Sequence, residues 1–376
     1  MMDTAVSVPK RIKHKDISGG TICMNKRKLK KRLDRLQHGF LWWKLVLTAP
    51  NYFHVSLPVR LKYAFRGFSA NEYIWYKLSE NDYREYISNY RRTISRDING
   101  KYKVILDDKI IFEDVFKNYV RVSESYAWIS DGILYPRNGY DITERNIIDF
   151  LRTKRTAVLK REIGAGGSGV FLIRYDDAGF TVNGKPYTEG DLYTFILSGK
   201  KEAFLCEYMR QSAFEDSLYR CSTNTIRIIC AKKKGEKEAR IVSAFQRIGN
   251  EKSKPVDNIS AGALAAEIDL ETGELSSGIM ARSHQIDDVY NRYDVHPDSG
   301  AKIKGNVIPN WDAVKKEITE LTNRFPYLNL VAWDVLLTDE GICIIEGNAS
   351  SGLVMVQREH GVRNGPIGEV YKSYGL

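Results

Sequence analysis

Apolar residues follow two different rhythms in this chain. Between Lys26 and Leu47 they fall at Leu29, Leu33, Leu36, Phe40, Trp43 and Leu47. Alternating steps of four and three put them on one stripe of a helix, opposite a strongly basic face. Such a helix either packs its stripe on the body with the bases in solvent, or lies near anionic lipid. Residues 48–95 are rich in aromatics and predict short helices over 71–77 and 80–90. Past Gly100 the rhythm changes. A helix is expected over 107–118, opening on Asp107-Asp108-Lys109, and another begins before Ile147, where Asp141 and Glu144 have capping-box spacing. Strands are expected over 156–161 and 170–175, joined by glycines. Thr181-Val-Asn-Gly-Lys185 reads as a tight hairpin, and 191–197 as a short helix stopped by Gly199.

Further strands are expected over 204–209, 225–231 and 239–248. Trp311, Val314, Ile318, Leu321 and Phe325 mark an amphipathic helix, and strands over 330–337 and 342–347 follow. The pattern predicts an α+β protein with mostly antiparallel sheet and no internal repeat.

Composition narrows the class. The 376 residues are 43% apolar and 28% charged, enough to bury a large core. No apolar run reaches the ~18–20 residues of a membrane span, and no signal-peptide pattern opens the chain. Five cysteines without a CxxC read as reduced thiols in a cytoplasmic protein. The six histidines have no zinc-ligand spacing. Of the net charge of +10, residues 1–44 carry +9, from 12 Lys/Arg and three Asp. The body is therefore nearly neutral and does not suggest a nucleic-acid-binding surface.

Four stretches could carry chemistry. Lys160-Arg-Glu-Ile-Gly164-Ala-Gly166-Gly167-Ser168-Gly169 leads into a strand, so it is neither a Rossmann nor a Walker loop. Its glycines either let backbone amides approach a phosphate or form a flexible hairpin turn. The second is Trp333-Asp334 to Glu346-Gly-Asn348. A three-residue loop at Asp339-Glu340-Gly341 would pair Thr338 with Ile342 and set Asp334 opposite Glu346, with Asn348 on the same face. Opposed carboxylates repel unless a cation lies between them. Oxygen ligands suit Mg²⁺; the other reading is edge polar residues around a solvated turn. The third, Glu207-Tyr208-Met209, ends a strand and reads as plain core or as an adenine contact. The fourth is Arg227, a cation within a strand, which needs either an internal acid or a bound phosphate.

Together, and in this order, these residues resemble the ATP-grasp superfamily, more narrowly its sugar-transfer-associated family linked to polysaccharide biosynthesis. The most specific pieces are Asn224-Thr-Ile-Arg227, His296-Pro-Asp-Ser-Gly300 with Lys302 and Lys304-Gly305, Ile308-Pro-Asn-Trp311, and Trp333-Asp334 to Glu346-Gly-Asn348. The resemblance implies an ATP-grasp fold in which two α+β lobes sandwich ATP, beside a helical N-terminal region. The expected divisions are a basic leader (1–22), the helical region (23–98), a first ATP-grasp part with the flap (99–205) and a catalytic part with the metal site (206–376).

By position, Lys109 and Lys160 match lysines on the ATP phosphates, and Gly164, Gly166, Gly167, Ser168 and Gly169 match the flap. Glu207, Tyr208 and Met209 match the adenine linker, and Asp334, Glu346 and Asn348 the Mg²⁺ ligands. Arg227 matches a cation near the transferred phosphate. Asn258 begins an element resembling Asn…Gly-Gly, with Ala263 in place of the second glycine. Glu215 and Asp216 are candidates for the ribose contact. Arg282, His284, Arg292, His296 and Lys302 lie in a long insert that is either an acceptor site or a surface loop.

The resemblance implies a cytoplasmic carboxylate–amine ligase using ATP and Mg²⁺. Its substrates would be an amino acid and a uronic acid or related sugar of a surface polysaccharide. The N-terminal helix would bring it to the inner face of the membrane.

Overall fold

The computed structural model describes residues 36–161, 169–198 and 202–376. Two antiparallel sheets organise it. The first contains β1 (Ser125–Ser130), β2 (Ile133–Pro136), β3 (Thr156–Arg161), β4 (Val170–Asp176), β5 (Gly179–Val182), β6 (Lys185–Tyr187) and β7 (Ala203–Glu207), in the order β2-β1-β7-β3-β4-β5-β6. The second contains β8 (Thr225–Ala231), β9 (Arg240–Ile248), β10 (Leu264–Glu267), β11 (Leu330–Thr338) and β12 (Gly341–Asn348), in the order β10-β9-β8-β11-β12. The expected hairpin at Asn183-Gly184 joins β5 to β6, both residues having positive φ (48° and 77°), as its tight turn requires.

Alternation along the strands assigns the faces. In the first sheet Ala157, Leu159, Ile173, Ala203 and Leu205 point to a core closed by the helices Ile147–Lys154 and Glu189–Leu197. Their neighbours Val158, Lys160, Leu172, Phe204 and Cys206 point the other way, into a cavity. In the second sheet Ile226, Ile228, Val331, Trp333 and Val335 face the helices Lys109–Phe116 and Trp311–Asn323. Trp333 is fully buried, its indole Nε1 donates to Thr322 Oγ1 at 2.9 Å, and Phe116 meets its ring edge-on at 5.1 Å. Burial of one such side chain contributes roughly 1.5–3 kcal/mol.

The opposite face of this sheet is divided along its strands. Ile229, Ala231, Leu330 and Ala332 are apolar and are covered by Tyr63, Phe68, Tyr76 and Tyr86 of the helical N-terminal region and by the C-terminal helix Pro366–Ser373. Thr225, Arg227 and Asp334, on the same face, line the cavity instead. The N-terminal helices therefore cap the greasy half and leave the charged half open.

Three local expectations are corrected. Residues 80–90 are not one helix: Asp82 Oδ1 accepts the Arg84 amide at 3.0 Å to make a short turn, and Ser88 Oγ starts a new helix, Asn89–Ile94. Glu144 does not cap the Ile147 helix; its carboxylate accepts the Leu134 amide at 2.8 Å, which holds its pKa below the ordinary value. Where it is described, the N-terminal stripe is covered only at its end, at half-buried Leu47. Leu36, Phe40 and Trp43 are 71%, 63% and 49% exposed, while Trp42 turns inward to donate to Ala64 O at 3.0 Å. Leu29, Leu33, the leader and Gly199 lie outside the described residues.

Candidate active site

Between the sheets lies a cavity of about 750 Å³. Its floor is a row of charges crossing three strands. Glu346 on β12 is paired with Asp334 on β11, which is paired with Arg227 on β8. Direct cross-strand partners share a face, so register alone aims all three side chains into the cavity.

The Asp334–Glu346 pairing arises differently from the expected route. The turn has two residues, Asp339-Glu340, so that Thr338 pairs with Gly341 and Val335 with Ile344. A bulge then skips Ile345 and sets Asp334 opposite Glu346, with Ala332 opposite Asn348. Without it, the next register step would carry Glu346 and Asn348 to the other face. Gly347, between them, is a close approach: a Cβ there would come within 2.9 Å of Leu106 and 3.0 Å of Phe112.

Asp334 is buried and bound on both sides. Arg227 donates to it through Nε and Nη2, the latter at 2.9 Å, and Arg247 Nη1 donates at 3.1 Å. Burial opposes the charged form, but Arg227 and then Arg247 hold the Asp334 pKa down to about 2. Arg247 reaches on to Asp257 at 2.8 Å, whose other oxygen accepts the Thr225 hydroxyl at 2.6 Å. The Arg227 counter-ion is thus an internal acid. Desolvation and the neighbouring Asp334 raise the Glu346 pKa. Asn348 Nδ2 donates to Glu346 Oε1 at 3.2 Å.

Two adjacent carboxyl groups and an amide oxygen form an all-oxygen donor set that fits Mg²⁺ completed by phosphate and water. Among the described residues no group of three or more His, Cys, Asp or Glu offers an alternative metal site.

Two lysines face this floor. Lys160, opposite Phe204 on β7, comes from the first sheet. Lys109 is the first residue of its helix and holds its ammonium 5.7 Å from the centre of the Phe204 ring, so the two lysines flank one aromatic side chain. The Lys109 helix is started by Asp108, whose Oδ1 accepts the Ile110 and Ile111 amides at 2.9 Å. Glu207, Tyr208 and Met209 line the cavity where β7 ends, and Arg121 pairs with Glu207 at 2.7 Å. Asn258 also lines it, with its side chain accepting the Ser260 amide at 2.9 Å. Gly169 lies against the end of β3: Arg161 N donates to its carbonyl at 2.7 Å, and a Cβ there would lie 2.5 Å from Arg161 O. Gly164, Gly166, Gly167 and Ser168 lie outside the described residues.

The remaining candidates are not gathered here. Lys302 is exposed, on an isolated bridge with Val295, and does not line the cavity. His296 is buried: Nδ1 accepts the Ser299 amide at 3.1 Å and Nε2 bonds Gly249 O at 2.8 Å, which is a structural role. Arg292 pairs with Glu359 and His284 stacks on Tyr52 at 3.6 Å. Glu215 is a core residue bonded to Gln246 at 2.8 Å, with its pKa raised well above the ordinary value by burial, and Asp216 accepts from Gln211 at 2.8 Å. Neither reaches the cavity wall. Of the insert, only Arg282 does. Arg247, Asp257 and Arg92 also line the cavity. Arg247 is foreshadowed by the alternation of β9, which puts it on the Phe245 face. Arg92 has no local signal, because it is brought there by a helix and meets Ser350, 258 residues further along the chain.

A family model for sugar-transfer associated ATP-grasp proteins matches residues 89–365. No curated protein matches the chain. Among solved structures it is similar to N5-carboxyaminoimidazole synthase from Aspergillus clavatus, at 9% identity over 67% of this chain and 46% of that one, with a TM-score of 0.36. It is also similar to D-alanyl-alanine synthetase A from Vibrio cholerae (10% identity, 72% and 66% covered, TM-score 0.40). A third likeness is to D-alanine-D-alanine ligase from Helicobacter pylori (10% identity, 72% and 61% covered, TM-score 0.38). The chain spans about half to two thirds of the length of these structures. The family assignment rests on the family model.

Proposed function

The chain belongs to the sugar-transfer associated ATP-grasp family, and from that premise we propose that it is an ATP-dependent carboxylate–amine ligase. The observation that carries the reading is the facing of two unlike charge sets across one cavity, Lys109 and Lys160 against Asp334, Glu346 and Asn348. The set fits a Mg²⁺–triphosphate: carboxylates and amide for the cation, ammonium groups for the phosphate oxygens. When bound, Mg²⁺ supplies neutralisation of the phosphate charge.

The protein would contribute positioning and exclusion of water. Lys109 and Lys160 would hold the β- and γ-phosphates, and enclosure between the two sheets would limit access of water. A substrate carboxylate oxygen attacks the γ-phosphorus and the bond to the β–γ bridging oxygen breaks, releasing ADP. The amine nitrogen then attacks the acyl phosphate carbon. A C–N bond forms, the C–O bond to phosphate breaks, and the amine's proton passes to solvent. We assign the amine to an amino acid and the carboxylate to a uronic acid or related sugar of a surface polysaccharide or its precursor.

Mg²⁺-dependent ADP release across a matrix of amino acids and uronic acids, with product mass, tests this. A product lighter than its two substrates by one water supports it. A phosphorylated product would instead make the enzyme a phosphotransferase, and ATP binding without turnover would make it a nucleotide-binding protein.

The reading includes contact with the inner face of a membrane. No helix among the described residues is long and apolar enough to cross one. Beside Leu36, Phe40 and Trp43, the adjoining helix Leu57–Ala64 and the residue after it add Leu57 and Phe65, 62% and 83% exposed. Arg60 ties the two segments by donating to Leu47 O at 3.3 Å. Exposed leucine and aromatic groups beside a segment of net charge +9 suit an anionic bilayer surface. Sedimentation with anionic vesicles should fall with salt and with Phe40→Ser/Phe65→Ser. Equal sedimentation with zwitterionic vesicles would refute it.

A further inference from the structure

Positive charge without an internal acid collects where the chain leaves β12. Arg92 Nη1 donates to Ser350 Oγ at 3.3 Å, and its other donors go to Asn89 Oδ1 (2.8 Å) and Thr93 Oγ1 (3.0 Å). Arg282 Nη1 donates to Ser260 Oγ at 3.2 Å. Every one of these acceptors is neutral. Among the described residues neither guanidinium has a carboxylate at ion-pair distance, whereas Arg96, Arg227 and Arg247 pair with Asp107, Asp334 and Asp257.

The acid that acts on Arg92 from nearby, Glu72, is already held by the Ser69 amide (2.9 Å), the Ser69 hydroxyl (2.8 Å) and the Asn89 amide (2.6 Å). Arg92 and Arg282 also repel each other: burial first, then Arg282, lowers the Arg92 pKa. Both line the cavity, with Ser260 and Ser350, next to Asn348. Two partly buried guanidiniums of like charge are costly unless an anion joins them, and planar forks suit carboxylate and phosphate oxygens.

We propose that Arg92 and Arg282 form a subsite for a second, non-reacting anionic group of a substrate, a carboxylate or a phosphate. This deepens the ligase reading and rests on it for the identity of that substrate. One substrate then carries an anion that survives the reaction. A carboxylate means that the amine partner is an amino acid with its acid group free. A phosphate means that the sugar partner arrives as a phosphate ester or diphosphate. Simple amines and neutral sugars would lack the anchor.

The test is calorimetric titration of the full chain, saturated with Mg²⁺ and a non-hydrolysable ATP analogue so that the triphosphate site is filled. Inorganic phosphate and malonate are the two probes. Wild type should bind one of them, and Arg92→Met and Arg282→Met should each weaken that binding at least tenfold while analogue affinity is unchanged. Phosphate binding points to the phosphorylated sugar and malonate binding to the amino acid. Binding of neither probe, or unchanged binding in Arg282→Met, overturns the subsite. Arg92→Met loses three hydrogen bonds to its own helix and a fourth to Ser350, and poor folding would be revealed by lost analogue binding. Arg282→Met, which loses one bond to a hydroxyl, then decides alone. If wild type fails to bind the analogue, the ligase reading falls, and the same titration on nucleotide-free protein still decides the subsite.

Discussion

The two sheets hold charge at their shared cavity by opposite means. In the five-stranded sheet, Asp334 is buried and clamped by Arg227 and Arg247, and Arg247 is tied in turn to Asp257. In the seven-stranded sheet, Lys160 has no ion pair among the described residues, and neither does Lys109 across from it. The first arrangement fixes geometry by internal neutralisation. The second keeps cationic groups available to an incoming anion. A site for a metal–triphosphate needs both, since carboxylates must be pre-positioned for the cation while the phosphate cations gain most by meeting their partner only when it binds.

The sharpest way to break this contrast is on the floor itself. Glu346→Ala should lower Mg²⁺-dependent ADP release by about a thousandfold or more with little change in melting temperature, because Glu346 opens onto the cavity. Asp334→Ala should be as inactive and should also destabilise the fold by about 3–5 kcal/mol, since it strands Arg227 and Arg247 against each other. Denaturant melts of both variants decide. Equal stability losses would mean that the clamp is no frame. On the other wall, Lys160→Met should raise KM for ATP by roughly ten- to a hundredfold, about 1.4 kcal/mol per tenfold, and leave the melt unchanged. A large loss of stability would show Lys160 to be structural after all.

The clamp also sets a pH dependence. The Asp334 pKa is depressed from its ordinary 3.8 to about 2 in the folded state. A depressed carboxyl stabilises the fold above its unfolded pKa and loses that contribution as pH falls through the folded value. The clamp should therefore contribute about 2–3 kcal/mol above pH ~4, fading toward pH ~2. Urea unfolding between pH 5 and 2.5 should show a steeper acid loss in wild type than in Asp334→Asn. Parallel curves would remove Asp334 as the source.

How legible each wall was in the sequence follows the same division. Alternation on β3, β8 and β11 predicts both their extents and their faces, because each is buried on at least one side and period two is then enforced. The Asp334–Glu346–Asn348 constellation is legible for that reason. What fails is whatever depends on contacts made outside the residue's own helix or strand. Glu144 has the spacing of a cap but is taken by the Leu134 amide. Glu215 is an acid near the linker but is drawn into the core by Gln246. β2 and β10 have four residues each and carry too few alternations to stand out. Arg92 is an ordinary surface-type residue until the fold brings it to the cavity.

The register gives the smallest and most particular test. The predicted three-residue turn and the observed two-residue turn with its bulge at Ile345 place Asp334 opposite Glu346 alike. They differ in what fixes Gly347. With the bulge, Gly347 lies under the chain of Leu106 and Phe112, at distances a Cβ could not occupy without displacement. Gly347→Ala should thus cost about 1–3 kcal/mol through overpacking. Because the residue sits between Glu346 and Asn348, the proposed metal ligands, the strain should also appear in catalysis. The Mg²⁺ concentration for half-maximal ADP release should rise several-fold, with KM for ATP at saturating Mg²⁺ little changed. Ile345→Ala, at the bulge itself but on a partly exposed side chain, should leave both within about twofold, so a larger effect at Ile345 than at Gly347 would mean that the bulge side chain, and not the helix packed above Gly347, holds the two ligands on one face.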